Sequence, residues 1–110
     1  MVPEPSPPFE ISVRGKVTDY LKALLGRAAA AGFHAAVSNE ITIINDRLLS
    51  DPRNFGEITH DLRILQVENF LATENGIRVV FAVHKRIPIV FVNDVRLLPS
   101  HPLYDPAKDD

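Results

Sequence analysis

The stretch that decides the fold is Ile77-Arg78-Val79-Val80-Phe81-Ala82-Val83-His84, followed after a short link by Ile89-Val90-Phe91-Val92-Asn93-Asp94-Val95-Arg96-Leu97-Leu98. Both runs are built from β-branched and aromatic residues and are bounded by turn formers, the pattern of strands. In the first, Ile77, Val79, Phe81 and Val83 share one face, and Arg78, Val80, Ala82 and His84 the other. In the second, strict alternation sets Ile89, Phe91 and Val95 on one side, with Val90, Val92, Asp94 and Arg96 opposite. The link between them carries Lys85 and Arg86 and is short enough to require antiparallel pairing. Upstream, Thr73-Glu74-Asn75-Gly76 predicts a turn, because Asn-Gly tolerates positive φ, and a further strand is predicted over roughly Leu62 to Leu71. Pro99-Ser100-His101-Pro102 stops the run. Basic side chains recur along this half of the chain: Arg63, Arg78, Lys85, Arg86 and Arg96. A cation directed to the open face of a sheet stays wet and can meet an anion there.

Working toward the N-terminus, the segment Ser50-Asp51-Pro52-Arg53-Asn54-Phe55-Gly56-Glu57 reads as a break, with Pro52 biasing Asp51 away from helix. Before it, Val37, Ile41, Ile44 and Leu48 fall on one helical face of His34–Ser50, although Ile41-Thr42-Ile43-Ile44 alone would also suit a strand. The helix is favoured because the spacing stays in step for three turns. Lys16 to Ala31 reads as a preceding helix with Val17, Tyr20, Leu21, Leu24, Leu25 and Ala28 inward, Thr18 or Asp19 serving its first turn and Gly32 ending it. Phe9–Arg14 alternates as a half-buried strand. Met1 to Pro8 holds four prolines and reads as an extended leader.

The expected fold is therefore α+β with two layers, a helical hairpin packed on an antiparallel sheet in the order β-α-α-β-β-β. The expected organisation is a proline-rich leader over 1–8, a single domain over 9–99 and an acidic C-terminal tail over 100–110, with leader and tail dispensable for folding. Leu21, Leu24, Ile41, Ile44, Val79, Phe81 and Phe91 are the predicted core.

At 110 residues, with 45% hydrophobic and 24% charged residues, the chain is long enough for one core without cross-links. It contains no cysteine, which excludes disulfides, thiol catalysis and thiolate metal sites and fits a reducing compartment. No apolar run reaches the roughly 18–20 residues of a membrane helix, and no signal-peptide pattern opens the chain, so a cytoplasmic location is expected. Net charge is −2. Between Phe9 and Leu98 eleven Lys and Arg face ten Asp and Glu, and between Leu62 and Leu98 five face three. This is a mild basic bias, below that of most dedicated nucleic-acid surfaces.

His34, His60, His84 and His101 lack the spacing of a zinc motif, so no metal site is expected. The five glycines are scattered, no nucleotide cradle is present, and no cofactor is expected. His84 is the one histidine next to the basic face and is the candidate proton donor. The bland reading of Arg78 and Arg96 is a solvated sheet face with ion pairs to Asp94 or Glu68, and that of Lys85-Arg86 is a polar hairpin that discourages edge pairing.

The element order, Asp51-Pro52 followed by Phe55-Gly56-Glu57, the strand Ile77–Val83 with its Arg before a small apolar run, and the closing strand Ile89–Arg96 together resemble the RelE/ParE toxin superfamily of bacterial toxin–antitoxin systems over roughly residues 9–99. In RelE-type members, Lys, Arg and often Tyr promote attack by a ribose 2′-OH on the neighbouring phosphate of messenger RNA on the ribosome. The resemblance implies an endoribonuclease with Arg78 and Arg96 as catalytic residues and Arg63, Lys85, Arg86 and His84 as substrate-binding ones, Tyr104 being able to reach back. It also implies a cognate antitoxin and the mRNA–ribosome complex as partners. ParE-type members use the same fold against DNA gyrase, so a non-catalytic protein-interaction domain is the alternative, and a homodimer that pairs sheets is a third.

Overall fold

A computed structural model describes residues 9–109; the expected proline-rich leader lies outside the described residues. The chain runs β1 (Glu10–Val13), α1 (Gly15–Ala31), α2 (His34–Ser50), α3 (Pro52–Phe55), β2 (Glu57–Leu62), a single 3₁₀ turn (Arg63–Leu65), β3 (Val67–Glu74), β4 (Ile77–His84), β5 (Ile89–Leu97) and α4 (Pro106–Asp109). The α+β class and the helical hairpin agree with the sequence; the sheet differs from expectation in two ways.

First, the sheet has five strands in the order β1-β5-β4-β3-β2. The single strand expected over Leu62–Leu71 is two, because the chain turns at Gln66 in a left-handed conformation (φ 54) and returns. The segment expected only to break the helix supplies α3 and the start of this extra strand. The observed order is thus β-α-α-β-β-β-β with short helices added. Second, the sheet is mixed: β1 lies parallel to β5, Ile11 opposite Val90, while the other pairs are antiparallel. The long connection through three helices and three strands lets β1 enter from the same end as β5, as tight hairpins cannot.

Both long helices form where the periodicity places them. The αL conformation of Gly32 (φ 79) lets its N–H reach the last carbonyls of α1, ending the helix. Thr18 does not cap α1: Arg14 occupies the cap position, and the Thr18 hydroxyl bonds back to the Arg14 carbonyl. In α2 the β-branched run is helical throughout, with the Thr42 hydroxyl donating to the carbonyl of Ser38 at 2.9 Å. One face of each helix covers the sheet, burying Val17, Leu24, Ala28, Val37, Ile44 and Leu48 against Phe70, Ile77, Val79, Phe81 and Val83. Leu21 and Ile41 pack at the margin of this core. Phe81 is fully buried, its ring stacked between Phe70 and Phe55 at centroid distances of 5.3 and 6.0 Å.

Phe91 is not in that core. Val80 pairs with Asp94 but Phe81 pairs with Val92, so Asn93 is an extra residue, a β-bulge in β5. The bulge resets the alternation. Val90 and Val92 before it, and Val95 and Leu97 after it, all face the helices, and Phe91, Asp94 and Arg96 face away. A period-2 reading cannot register an inserted residue, which is why it put Val90 and Val92 on the wrong side.

The C-terminal segment, expected as a tail, folds back onto α1. His101 and Asp109 are buried. Tyr20 donates its hydroxyl proton to Asp109 and accepts from the amide of Leu97, and Arg27 bonds both the Leu103 carbonyl and Asp109. His101 accepts the Leu103 amide at Nδ1, which leaves Nε2 to donate to Glu40 at 3.2 Å.

Candidate functional site

The face of the sheet that carries no helix presents the cations predicted from β4 and β5. Arg78 and Arg96 are direct cross-strand partners. Like charges opposite one another in a ladder repel, so their proximity has to be compensated. Asp94, two residues before Arg96 on the same face, supplies part of the compensation: its carboxylate lies 3.1 Å from Arg96 Nε and 3.9 Å from Arg78 Nη2. Two guanidiniums against one carboxylate leave one net positive charge. The Nε of Arg78 is buried and has no hydrogen-bond partner among the described residues. A buried donor without an acceptor is costly, and the exposed parts of the two guanidiniums are what an anion can meet.

The two arginines line a concavity of about 310 Å³ together with Leu98, Pro99, Tyr104 and Asp109. The C-terminal segment forms its far wall, so Tyr104 stands at the arginine pair. Burial, the hydrogen bond to Asp109 and that carboxylate's charge raise the Tyr20 hydroxyl to about 12. Burial works against ionisation of Asp109, but hydrogen bonds from Tyr20, the Asp105 amide and Arg27 outweigh it and hold its carboxyl below the ordinary value. Asp109 is thereby an anion already matched to Arg27, at 3.3 Å.

The remaining predicted residues gather elsewhere. His84, Lys85 and Arg86 lie at the opposite end of β4, with Arg53, Ile87 and Pro88 around a second concavity. Six residues of strand separate Arg78 from His84, about 20 Å at ~3.3 Å per residue. One phosphate cannot touch both groups. His84 caps the β4–β5 connection, its Nδ1 accepting from the amides of Arg86 and Ile87 at 3.0 and 3.2 Å. Lys85 is paired with Asp61 at 2.5 Å. Glu68, expected near the arginines, sits in register with buried Val83 and pairs with Arg53 at 3.2 Å. Arg63 belongs to the 3₁₀ turn at this same end, and its side chain lies outside the described residues. Sequence reasoning missed Asp109 as a wall of the site, because nothing in an acidic C-terminal run signals that one carboxylate returns to α1.

Among the described residues no cluster of acidic and histidine side chains is arranged to hold a metal ion. None of their helices is long and apolar enough to cross a membrane. No protein-family model matches the chain, and no curated protein sequence does.

Proposed function

We propose that this protein is a RelE/ParE-like toxin-type protein that takes an RNA phosphodiester at the Arg78–Arg96 concavity and promotes its cleavage on the ribosome. The observation that carries the reading is the opposed arginine pair, partly exposed and set against one carboxylate. The fold keeps this pair at a local cost that a bound phosphate would relieve, and Arg suits the task through its bidentate fork. In the reaction the ribose 2′-oxygen bonds to phosphorus and the bond to the 5′-oxygen breaks. The guanidiniums hold the non-bridging oxygens as charge builds on them. Tyr104 lines the same concavity and donates a proton to the departing 5′-oxygen, while the proton lost by the 2′-hydroxyl passes to water. No cofactor enters this chemistry. A ribosomal target implies a cytoplasmic location, and a protein of this type implies an antitoxin partner.

The test is growth arrest on induced expression, followed by cleavage of messenger RNA by the purified protein on programmed ribosomes. Binding of RNA should weaken steeply with added salt, as displaced counterions require. Wild-type protein that neither arrests growth nor cuts RNA removes the nuclease reading. A second reading, a protein-binding module, is favoured by one observation: Leu62, Ile64 and Leu65 in and after edge strand β2 are exposed, Ile64 almost completely.

A further inference from the structure

The bulge at Asn93 has a consequence for the open face. A groove of about 600 Å³ crosses that face from the β2–β3 connection to the end of β1. Its floor is set by the row Asn69, Ala82, Phe91 and Ser12, which are successive partners across four strands. Ala82 is small, so the aromatic side chain of Phe91 borders open space on that side. Leu62 and Leu65 form one wall. Asn93 and Arg14 line the other end. Asn69 and Asn93 are half-buried residues whose side-chain amides make no hydrogen bond among the described residues. Arg14 is exposed and has no ion pair among them.

This set has a defined chemistry. An aromatic side chain offers a stacking platform, an amide offers a donor and an acceptor to one planar edge, and a guanidinium offers a phosphate contact. Bulges next to binding sites re-aim a side chain at the expense of ladder pairing, and here the residue displaced from the ladder is Asn93. We propose that the groove is a base-binding subsite for single-stranded RNA: a nucleobase stacks on Phe91, Asn93 and Asn69 read its hydrogen-bonding edge, and Arg14 contacts the adjoining phosphate. Ala82 lies four residues along β4 from Arg78, about 13 Å on the same face. The base held in the groove thus belongs to a nucleotide close to, and distinct from, the one whose phosphate meets Arg78 and Arg96. The subsite rests on the function proposed above and adds to it a preference for sequence.

The experiment measures fluorescence anisotropy of the full chain with labelled single-stranded RNA hexamers of A, of C and of U. Wild-type protein should bind them with different Kd. Asn93→Ala should bring the three values together, and Phe91→Ala should weaken all of them on the order of tenfold or more. Phe91→Tyr should restore binding. Circular dichroism melting establishes that each variant is folded; if Phe91→Ala is not, Phe91→Leu keeps apolar bulk without the ring and gives the same readout. Equal wild-type Kd for the three hexamers, or folded Phe91 and Asn93 variants that bind as wild type, overturns the subsite. If the Arg78→Ala, Arg96→Ala double variant loses binding while the groove variants keep it, the phosphate site stands and the base site alone falls. Wild-type protein with no salt-dependent affinity for any hexamer overturns both.

Discussion

Tyr20 and Asp109, 89 positions apart in the chain, are joined by a hydrogen bond in which the phenol donates to the carboxylate. The bond fastens the last short helix to α1 and with it the segment that brings Tyr104 to the arginine pair. Three further donors or partners converge there: Arg27, the Asp105 amide and, through Tyr20, the Leu97 amide.

Removing the Tyr20 hydroxyl should therefore destabilise the fold. Tyr20→Phe leaves a buried carboxylate short of one donor and should cost about 1–3 kcal/mol, read from urea unfolding at neutral pH. Deleting residues 105–110 should lower the midpoint by at least as much. An unchanged midpoint would return this segment to the status of a tail.

The same pair sets a pH window. Asp109 has its carboxyl held down in the folded state, so its contribution is present above its unfolded value of 3.8 and is lost as pH falls through the lower folded value. Tyr20 is raised to about 12, so its contribution is present below its unfolded value of 10.0 and is lost as pH rises toward 12. Melting temperature should fall between pH 10 and 12 in wild type and less in Tyr20→Phe.

The aromatic stack under the helices sets a third expectation. Phe81→Ala should cost ~3–5 kcal/mol, since the ring is fully buried between Phe55 and Phe70. Gly56→Ala should also destabilise, because a Cβ there would stand 3.1 Å from the Phe81 ring and 3.0 Å from the Leu71 carbonyl oxygen. Both are checked by denaturant unfolding.

At the arginine pair, activity and stability should separate. Arg78→Ala or Arg96→Ala removes one of two opposed cations that are over a third exposed, so stability should change little. Cleavage on ribosomes should drop on the order of 10²–10³-fold. Asp94→Asn should act in the opposite sense on binding, tightening RNA affinity by freeing both guanidiniums.

What the sequence made legible follows from what periodicity can carry. The two long helices and strands β4 and β5 come from sustained patterns, and Phe81 and Val79 were placed correctly because β4 alternates without interruption. Phe91 was misplaced because one inserted residue, Asn93, inverts the pattern without changing composition. Strand β2 was missed because every described position in it is exposed, so it has no apolar face to announce it. Arg78 and Arg96 were legible as a pair because both lie on strands whose pairing could be read; their distance from His84 and Lys85 was not, since proximity in sequence says little about which end of a strand a residue occupies.

The parallel seating of β1 against β5 also governs when the chain can fold. Glu10 waits for Ile89 and Val13 for Val92, so the sheet closes only after nearly the whole sequence has been brought together. Closing so long a loop is entropically unfavourable and slows folding relative to local hairpins. A nascent chain interrupted before β5 has neither the strand that seats β1 nor the arginine that faces Arg78. Assembly of the candidate site is thereby tied to the latest step in formation of the sheet.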